Sequence, residues 1–289
     1  MNRIKVIFTF ARYEIKRAVA RKKVLALVAF TVLLGIFPYY AIAQAGANLI
    51  PAAEASSVYP YLWVFGIFLV GPLFLNFTAI LIAAGAMSEE YEQGTAELLL
   101  SKPVRRSDYF AGKFLGGYIL FLLILALILF LSIASAFTFL GTQHSLYVIP
   151  GLFLAQAFSS LLFFSLAFML GELIRRSSLS YIFSSAIFFS SYIISAFLGA
   201  IYDATGKELY KTVQIYLPTS PAGSLPILYA LPKLPISSSI LSTALRFFNT
   251  STPVSSISLA IEILLAYTVI AVSIAVAYFL YADVSRKLS

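Results

Sequence analysis

The 289-residue chain has no cysteine and a single histidine, His144. Without cysteine there is no disulfide, no thiolate metal site and no cysteine nucleophile. One histidine leaves no imidazole set for zinc or di-iron chemistry, and no Ser-His-Asp triad except one built on His144 itself. His144 reads as a polar loop residue. Charge is scarce too: Asp, Glu, Lys and Arg make up 11% of the residues, against roughly a quarter in a soluble domain. Hydrophobic residues make up 61% and the mean hydropathy is +0.93. A soluble core cannot hide that much apolar surface, so lipid is the solvent for most of the chain.

What is present is a series of long, nearly charge-free apolar runs. Six reach the roughly 20 residues that a bilayer core needs. They cover residues 24–44, 61–87, 109–140, 147–173, 179–202 and 258–281. A Lys, Arg or Asp at mid-span costs about 2.5–3.5 kcal/mol on insertion scales, so such gaps in charge mark spans. The third run is too long for a vertical helix, and its start near Lys113 is expected to stand in the cytoplasm. Glu172, Asp203 and Glu262 lie near span ends, which leaves no ionisable residue deep in the membrane.

Orientation follows from the cations. Sixteen of the 20 Lys and Arg residues fall on one side, among them Arg3 to Lys23, Lys102 to Lys113, Arg175 and Arg176. The positive-inside rule places both termini in the cytoplasm of a cell membrane. The net charge of +8 then holds topology against anionic lipid, and nucleic acid is a poor partner. Residues 1–20 do not read as a signal peptide, because Arg12, Lys16 and Arg17 interrupt the apolar run, and the segment 1–22 reads as an interfacial helix. Ile4, Ile7, Phe8, Ala11, Ile15 and Val19 share one helical face, and Lys5, Thr9, Arg12 and Lys16 another. That pattern predicts a helix in the membrane interface. On the outer side, the loop 203–257 holds six of the twelve prolines. It is expected to form short helices against the outer face of the spans. Asn249-Thr250-Ser251 there is a weak glycosylation sequon.

Nine of the charged residues crowd into the 25 positions from Glu89 to Lys113, EEYEQGTAELLLSKPVRRSDYFAGK. Gly94 is expected to end the helix leaving span two. Thr95 caps a new turn, Ala96 to Leu100 favour helix, and Pro103 stops it. Ser107 is expected to cap span three, with Asp108 against its positive end. The result is a short cytoplasmic helix within the loop 88–108, with a leucine ridge that must bury against something.

This block resembles the hallmark of ABC-2 type transporter permeases, the membrane subunits of one class of ATP-binding-cassette exporters. The matching residues are Glu90, Gly94, Thr95, Glu97, Leu98, Leu99, Leu100, Ser101, Pro103, Val104 and Arg106, then Tyr109, Gly112 and Lys113. Ala11 to Arg17 also resembles that family's N-terminal helix. The resemblance implies an all-α integral membrane protein of six transmembrane helices, in a single transmembrane domain, whose cytoplasmic loop carries a coupling helix. It implies that Glu89, Glu90, Glu92, Gly94, Thr95, Glu97, Leu98, Leu99, Leu100, Ser101, Pro103, Arg105 and Arg106 contact a cytoplasmic ABC ATPase subunit. Arg12, Lys16, Arg175 and Arg176 would make secondary contacts. No Walker A loop is present, since Gly112-Lys113 precedes Phe114 and Gly206-Lys207 precedes Glu208. ATP and Mg are therefore expected on the partner, with no cofactor or metal on this chain. A second permease copy or paralogue is implied as well.

In span five, Ser177, Ser180, Ser184, Ser191 and Ser195 form a stripe of small residues, read either as close packing, the favoured reading, or as a substrate path or dimer interface. Asn76 and Thr78 are mid-span polar groups that need partners or line that path. Gly71-Pro72 and Pro38 mark expected kinks. The 26 Phe and 18 Tyr suit an amphipathic or hydrophobic cargo, exported by the family's reading. An ATP-independent secondary carrier or channel is the alternative. An integral membrane enzyme is a third reading, and no catalytic constellation supports it.

Overall fold

The computed structural model describes residues 3–20, 22–49, 58–68, 70–101, 104–235 and 253–281. Among the described residues the chain is all-helical, with no strand. The N-terminal helix α1 (Arg3–Val19) precedes α2 (Lys22–Leu49). A 3-10 turn (Tyr59–Val64), α3 (Phe65–Phe68) and a π-helical segment (Gly71–Leu75) lead into α4 (Asn76–Glu92). Then come the short α5 (Thr95–Leu100) and the long α6 (Arg106–Leu140). After a 3-10 turn (Leu146–Val148), α7 (Ile149–Ile174) and α8 (Ser177–Thr205) follow. The helices α9 (Glu208–Tyr216) and α10 (Thr219–Ala230) precede the last, α11 (Ile257–Tyr281).

Among the described residues, six stretches are long and apolar enough to cross a membrane: Lys22–Gln44, Tyr59–Glu92, Arg106–Leu140, Leu146–Ile174, Ser177–Thr205 and Ile257–Tyr281. The second is the most enclosed by protein, and the first and fifth the least. At the centre, α4 packs along α7. Small residues permit this: a Cβ at Gly171 would sit 2.6 Å from the Ala84 carbonyl oxygen. In lipid no hydrophobic force pulls helices together, so close backbone approach and dispersion supply the contact.

Helical geometry breaks where Gly71 and Pro72 were expected to kink span two. Phe74 and Leu75 both donate to the Val70 carbonyl, at 2.8 and 3.3 Å, which widens the turn to π geometry. Asn76 closes the break by donating to the Pro72 carbonyl at 3.0 Å. Its own oxygen accepts from Ser160 at 2.8 Å, and Ser160 accepts from Gln156 at 3.0 Å. The buried amide is thereby satisfied across the α4–α7 contact. Pro38 lies inside α2, which runs on through it.

Two loop features complete the bundle. His144 is pinned as a loop residue: its amide donates to Pro60 at 2.7 Å and its carbonyl accepts from the Trp63 indole at 2.9 Å. The helix α10 packs against α7, α8 and α11, and most of it is buried despite Pro221 and Pro226. Residues 236–252 of the outer loop, including Arg246 and the Asn249 sequon, lie outside the described residues.

At 35 residues, α6 is about 52 Å long, against a hydrocarbon layer of ~30 Å. Its first turns pack against α1. Two glycines allow this. A Cβ at Gly112 would lie 2.4 Å from Phe10 Cβ, and one at Gly116 would lie 2.7 Å from the Ala11 carbonyl oxygen. The second clash is with backbone and cannot be relieved by a rotamer. Gly116→Leu is therefore expected to separate α1 from α6 at a cost of about 1–3 kcal/mol. Limited proteolysis should show faster cleavage within residues 3–19 while the six spans stay inserted; unchanged protection would contradict this packing.

Candidate functional site

The charged segment begins where α4 leaves the bundle. Gly94 adopts a left-handed conformation, with φ of +68°, after α4 ends at Glu92. An L side chain is strained there, so glycine lets the chain reverse into α5 within two residues. Thr95 opens α5, and its hydroxyl donates to the Glu90 carbonyl at 3.4 Å. Leu98 is 69% exposed, whereas Leu99 packs partly against the core. Ser101 is exposed and its hydroxyl donates back to the Leu98 carbonyl at 2.9 Å. The Glu97 and Leu100 side chains, and Lys102 and Pro103, lie outside the described residues.

Beneath this surface four charges alternate in a ring. Arg17 donates to Glu90 at 2.6 Å and to Glu14 at 3.0 Å. Lys113 donates to both Glu14 and Glu90. Tyr109 donates to the second oxygen of Glu90, and Arg17 also reaches the Ala86 carbonyl at 2.9 Å. The ring joins α1, α4 and α6. Glu14, Glu90 and Lys113 are essentially inaccessible to water. Two carboxylates and two cations sum to zero, which is what makes their burial tolerable. Burial works against the Arg17 charge, but Glu14 and Glu90 outweigh it and hold its pKa above the usual guanidinium value. Aromatic rings wall the site: Phe10 meets Tyr109 edge-on at 5.2 Å, and Tyr109 stacks on Phe279 at 5.9 Å.

Further contacts tie the same segment outward. Arg3 bonds Asp108 at 3.1 Å, so α1 is also fixed to the first turn of α6. Glu89 accepts from Lys23 of α2 at 2.5 Å and from Tyr181 of α8 at 2.6 Å. Glu92 accepts from the Ser177 amide at 2.9 Å and its hydroxyl at 2.5 Å, capping α8 from another helix. Tyr91 donates to both oxygens of Glu172, at 2.8 and 2.9 Å. The Arg175 guanidinium sits 4.7 Å above the Tyr91 ring.

Several expectations need correction. Glu90 was assigned to a surface contact, yet it is enclosed, because Arg17, Lys113 and Tyr109 take up its oxygens. Lys113, near the start of the third span, is buried between the Glu14 and Glu90 carboxylates. Buried ionisable groups thus lie where α1 meets the end of α4 and the first turns of α6, away from the span centres. Ser107 does not cap α6; Arg105 holds that position and no side chain bonds the free amides, though Asp108 is in the first turn. The apolar face of α1 is divided: Ala11 turns inward with Glu14, while Ile4, Phe8 and Val19 stay exposed. Arg12, Lys16, Arg105, Arg106 and Arg176 are exposed, and Arg175 is half-buried.

The serine stripe of α8 turns inward. Ser180, Ser184 and Ser191 are buried. Ser191 shares a hydrogen bond with Thr219 at 2.9 Å, and Ser195 one with Ser220 at 3.0 Å. These serines sit at helix contacts within the subunit. Asn76 and Thr78 are buried as well, and the Thr78 hydroxyl makes no hydrogen bond among the described residues.

Glu14 and Tyr109 received no role from the sequence. Glu14 had a usable signal, since 7, 11, 14 and 18 follow the packed stripe of α1 at helical spacing, where a lone Glu demands a buried cation.

Comparison with known proteins gives the same outline. The model of the ABC-2 family transporter proteins matches residues 8–284. The chain is 29% identical over 156 residues to Uncharacterized protein YhcI of Bacillus subtilis (strain 168), covering 47% of this chain and 50% of that one. It thus spans about half the length of that relative.

The ring makes a specific energetic prediction. Glu90→Gln or Lys113→Met alone leaves an uncompensated buried charge and is expected to cost about 3–5 kcal/mol. The double variant restores neutrality and should cost less than the sum of the two. Thermal unfolding of purified protein measures the cycle; additive losses would show that the two side chains do not interact.

Proposed function

This chain belongs to the ABC-2 family of transporter proteins, and on that premise we propose that it is the permease of an ATP-binding-cassette transporter whose ATPase is a separate subunit. The observation that carries the reading is the geometry of the charged segment. A six-residue helix with an exposed leucine stands beyond α4, while everything behind it is tied into the bundle by buried ion pairs. A rigid base with an apolar tip suits a lever that another protein pushes.

In this reading Leu98 enters a groove on the ATPase, and Arg105 and Arg106 set register by charge at its rim. Glu90 does not touch the partner. It holds the segment through Arg17 and Lys113, so a push on α5 moves α1, α4 and α6 together. Glu89 and Glu92 extend the push to α2 and α8. Nucleotide and Mg bind the partner, whose hydrolysis supplies the work. The termini and α5 lie in the cytoplasm of a cell membrane, as the cation distribution indicates.

A second permease copy or paralogue completes the pathway. The spans α2 and α8 are the least enclosed, and α8 exposes Ile182, Phe183, Ile193 and Phe197. Ser180, Ser184 and Ser191 are buried away from these exposed residues, in keeping with the packing reading of the serine stripe. Cargo passes as an amphipathic or hydrophobic molecule on its way out. The alternative of an ATP-independent carrier gains no ionisable group near the span centres from the described residues: those that are buried cluster at one end and are paired.

Leu98→Asp tests the docking. It should abolish co-purification of the ATPase while the six spans still insert. Full retention of the ATPase would contradict the assignment. Leu99→Asp is a poorer probe, because Leu99 packs partly against the core and its loss also loosens the loop.

A further inference from the structure

The cations of α1 divide into two classes. Arg3 and Arg17 point toward the bundle and each meets a carboxylate. Lys5, Arg12 and Lys16 are exposed, and among the described residues no acidic side chain pairs with them. At 3.6 residues per turn, these three fall within an arc of about 40°. Directly beside that arc lies an apolar one. Ile4 is 61% exposed, Phe8 65% and Val19 47%, with half-buried Ile15 between them. The inward side, with Val6, Ala11, Glu14 and Ala18, is filled by α6 and the charge ring. The helix thus has three sectors: one packed, one apolar and open, one basic and open.

A protein groove that covered only the basic sector would leave Ile4, Phe8 and Val19 in water. A phospholipid surface satisfies both sectors at once, because acyl chains and headgroups are themselves adjacent layers. The cationic sector then selects headgroup charge. We propose that the open face of α1 binds anionic phospholipid, with Ile4, Phe8 and Val19 in the acyl region and Lys5, Arg12 and Lys16 on the phosphates. Because α1 is fixed to α4 and α6 through Glu14, Arg17 and Arg3, the lipid also steadies the base of the charged segment. This assigns Arg12 and Lys16 to lipid, where the sequence pattern had pointed to the ATPase.

The test is native mass spectrometry of the full chain, released from detergent after titration with phosphatidylglycerol or phosphatidylcholine of the same acyl length. The wild-type protein is expected to retain phosphatidylglycerol preferentially. The variant Lys5→Gln/Arg12→Gln/Lys16→Gln should lower that preference by about tenfold or more, and Lys5→Arg/Lys16→Arg should keep it. The glutamine variant should still co-purify with the ATPase at wild-type yield. An undiminished lipid preference in the glutamine variant overturns the proposal. So does loss of the ATPase with lipid preference intact, which would return the basic sector to the protein contact. Neither result depends on Leu98, so failure here is distinguishable from failure of the docking assignment.

Discussion

Glu90 has to find two cations in a place without water, and much of the subunit's architecture follows from that. A carboxylate buried alone in apolar surroundings would cost several kcal/mol or give up its charge. Arg17 and Lys113 remove that cost only if α1 and α6 both stand beside α4. Gly112 and Gly116 let α1 come close enough, and Tyr109 occupies the remaining oxygen. One buried carboxylate thereby fixes three helices at the end of the bundle from which α5 projects. The ring is not a strong source of stability in itself, since a well-packed apolar set of the same volume would do as well. Its value is specificity: one arrangement satisfies all four charges, and shifted ones leave a charge unpaired.

The neighbouring carboxylates carry the same logic outward. Glu89 reaches α2 and α8, Glu92 caps α8, and Glu172 returns from the end of α7 to Tyr91. Four of the bundle's spans thus converge on one short stretch of chain, 89–92, just ahead of Gly94. In the proposed reading, a displacement of α5 would be shared among them through these short polar contacts. That is the mechanical property a transporter needs if hydrolysis on one subunit is to change the shape of another. Midway along span two, the π-helical break at Gly71–Leu75 and the Asn76 bond to Ser160 leave that span firmly joined to α7.

What the sequence made legible was whatever is local or set by solvent. Gaps in charge showed six membrane-crossing helices, because lipid penalises charge wherever it occurs. Gly94 revealed the turn into α5, because backbone geometry is decided within a few residues. The family followed from the order of residues around Gly94 and Thr95. The ring was hidden, since Lys113 and Glu14 are 99 positions apart and no periodicity links them. Glu90 looked like a surface charge for the same reason. The serines of α8 read as packing or pathway from spacing alone, and only the hydroxyls of Thr219 and Ser220 on α10 show that they face inward. In α1 the apolar residues form a stripe wide enough to serve two surfaces, so the sequence could not divide it.

Because the chain has no cysteine, a single Leu98→Cys substitution places one photoactivatable maleimide on α5 and nowhere else. Irradiation of membranes from cells that express the whole transporter then reports directly what lies against that helix. The account predicts one major adduct, with a polypeptide bearing a Walker A loop, formed by this variant and not by Tyr147→Cys at the other end of the bundle. An adduct with that ATPase from position 147, or none from position 98 in an intact complex, would contradict it.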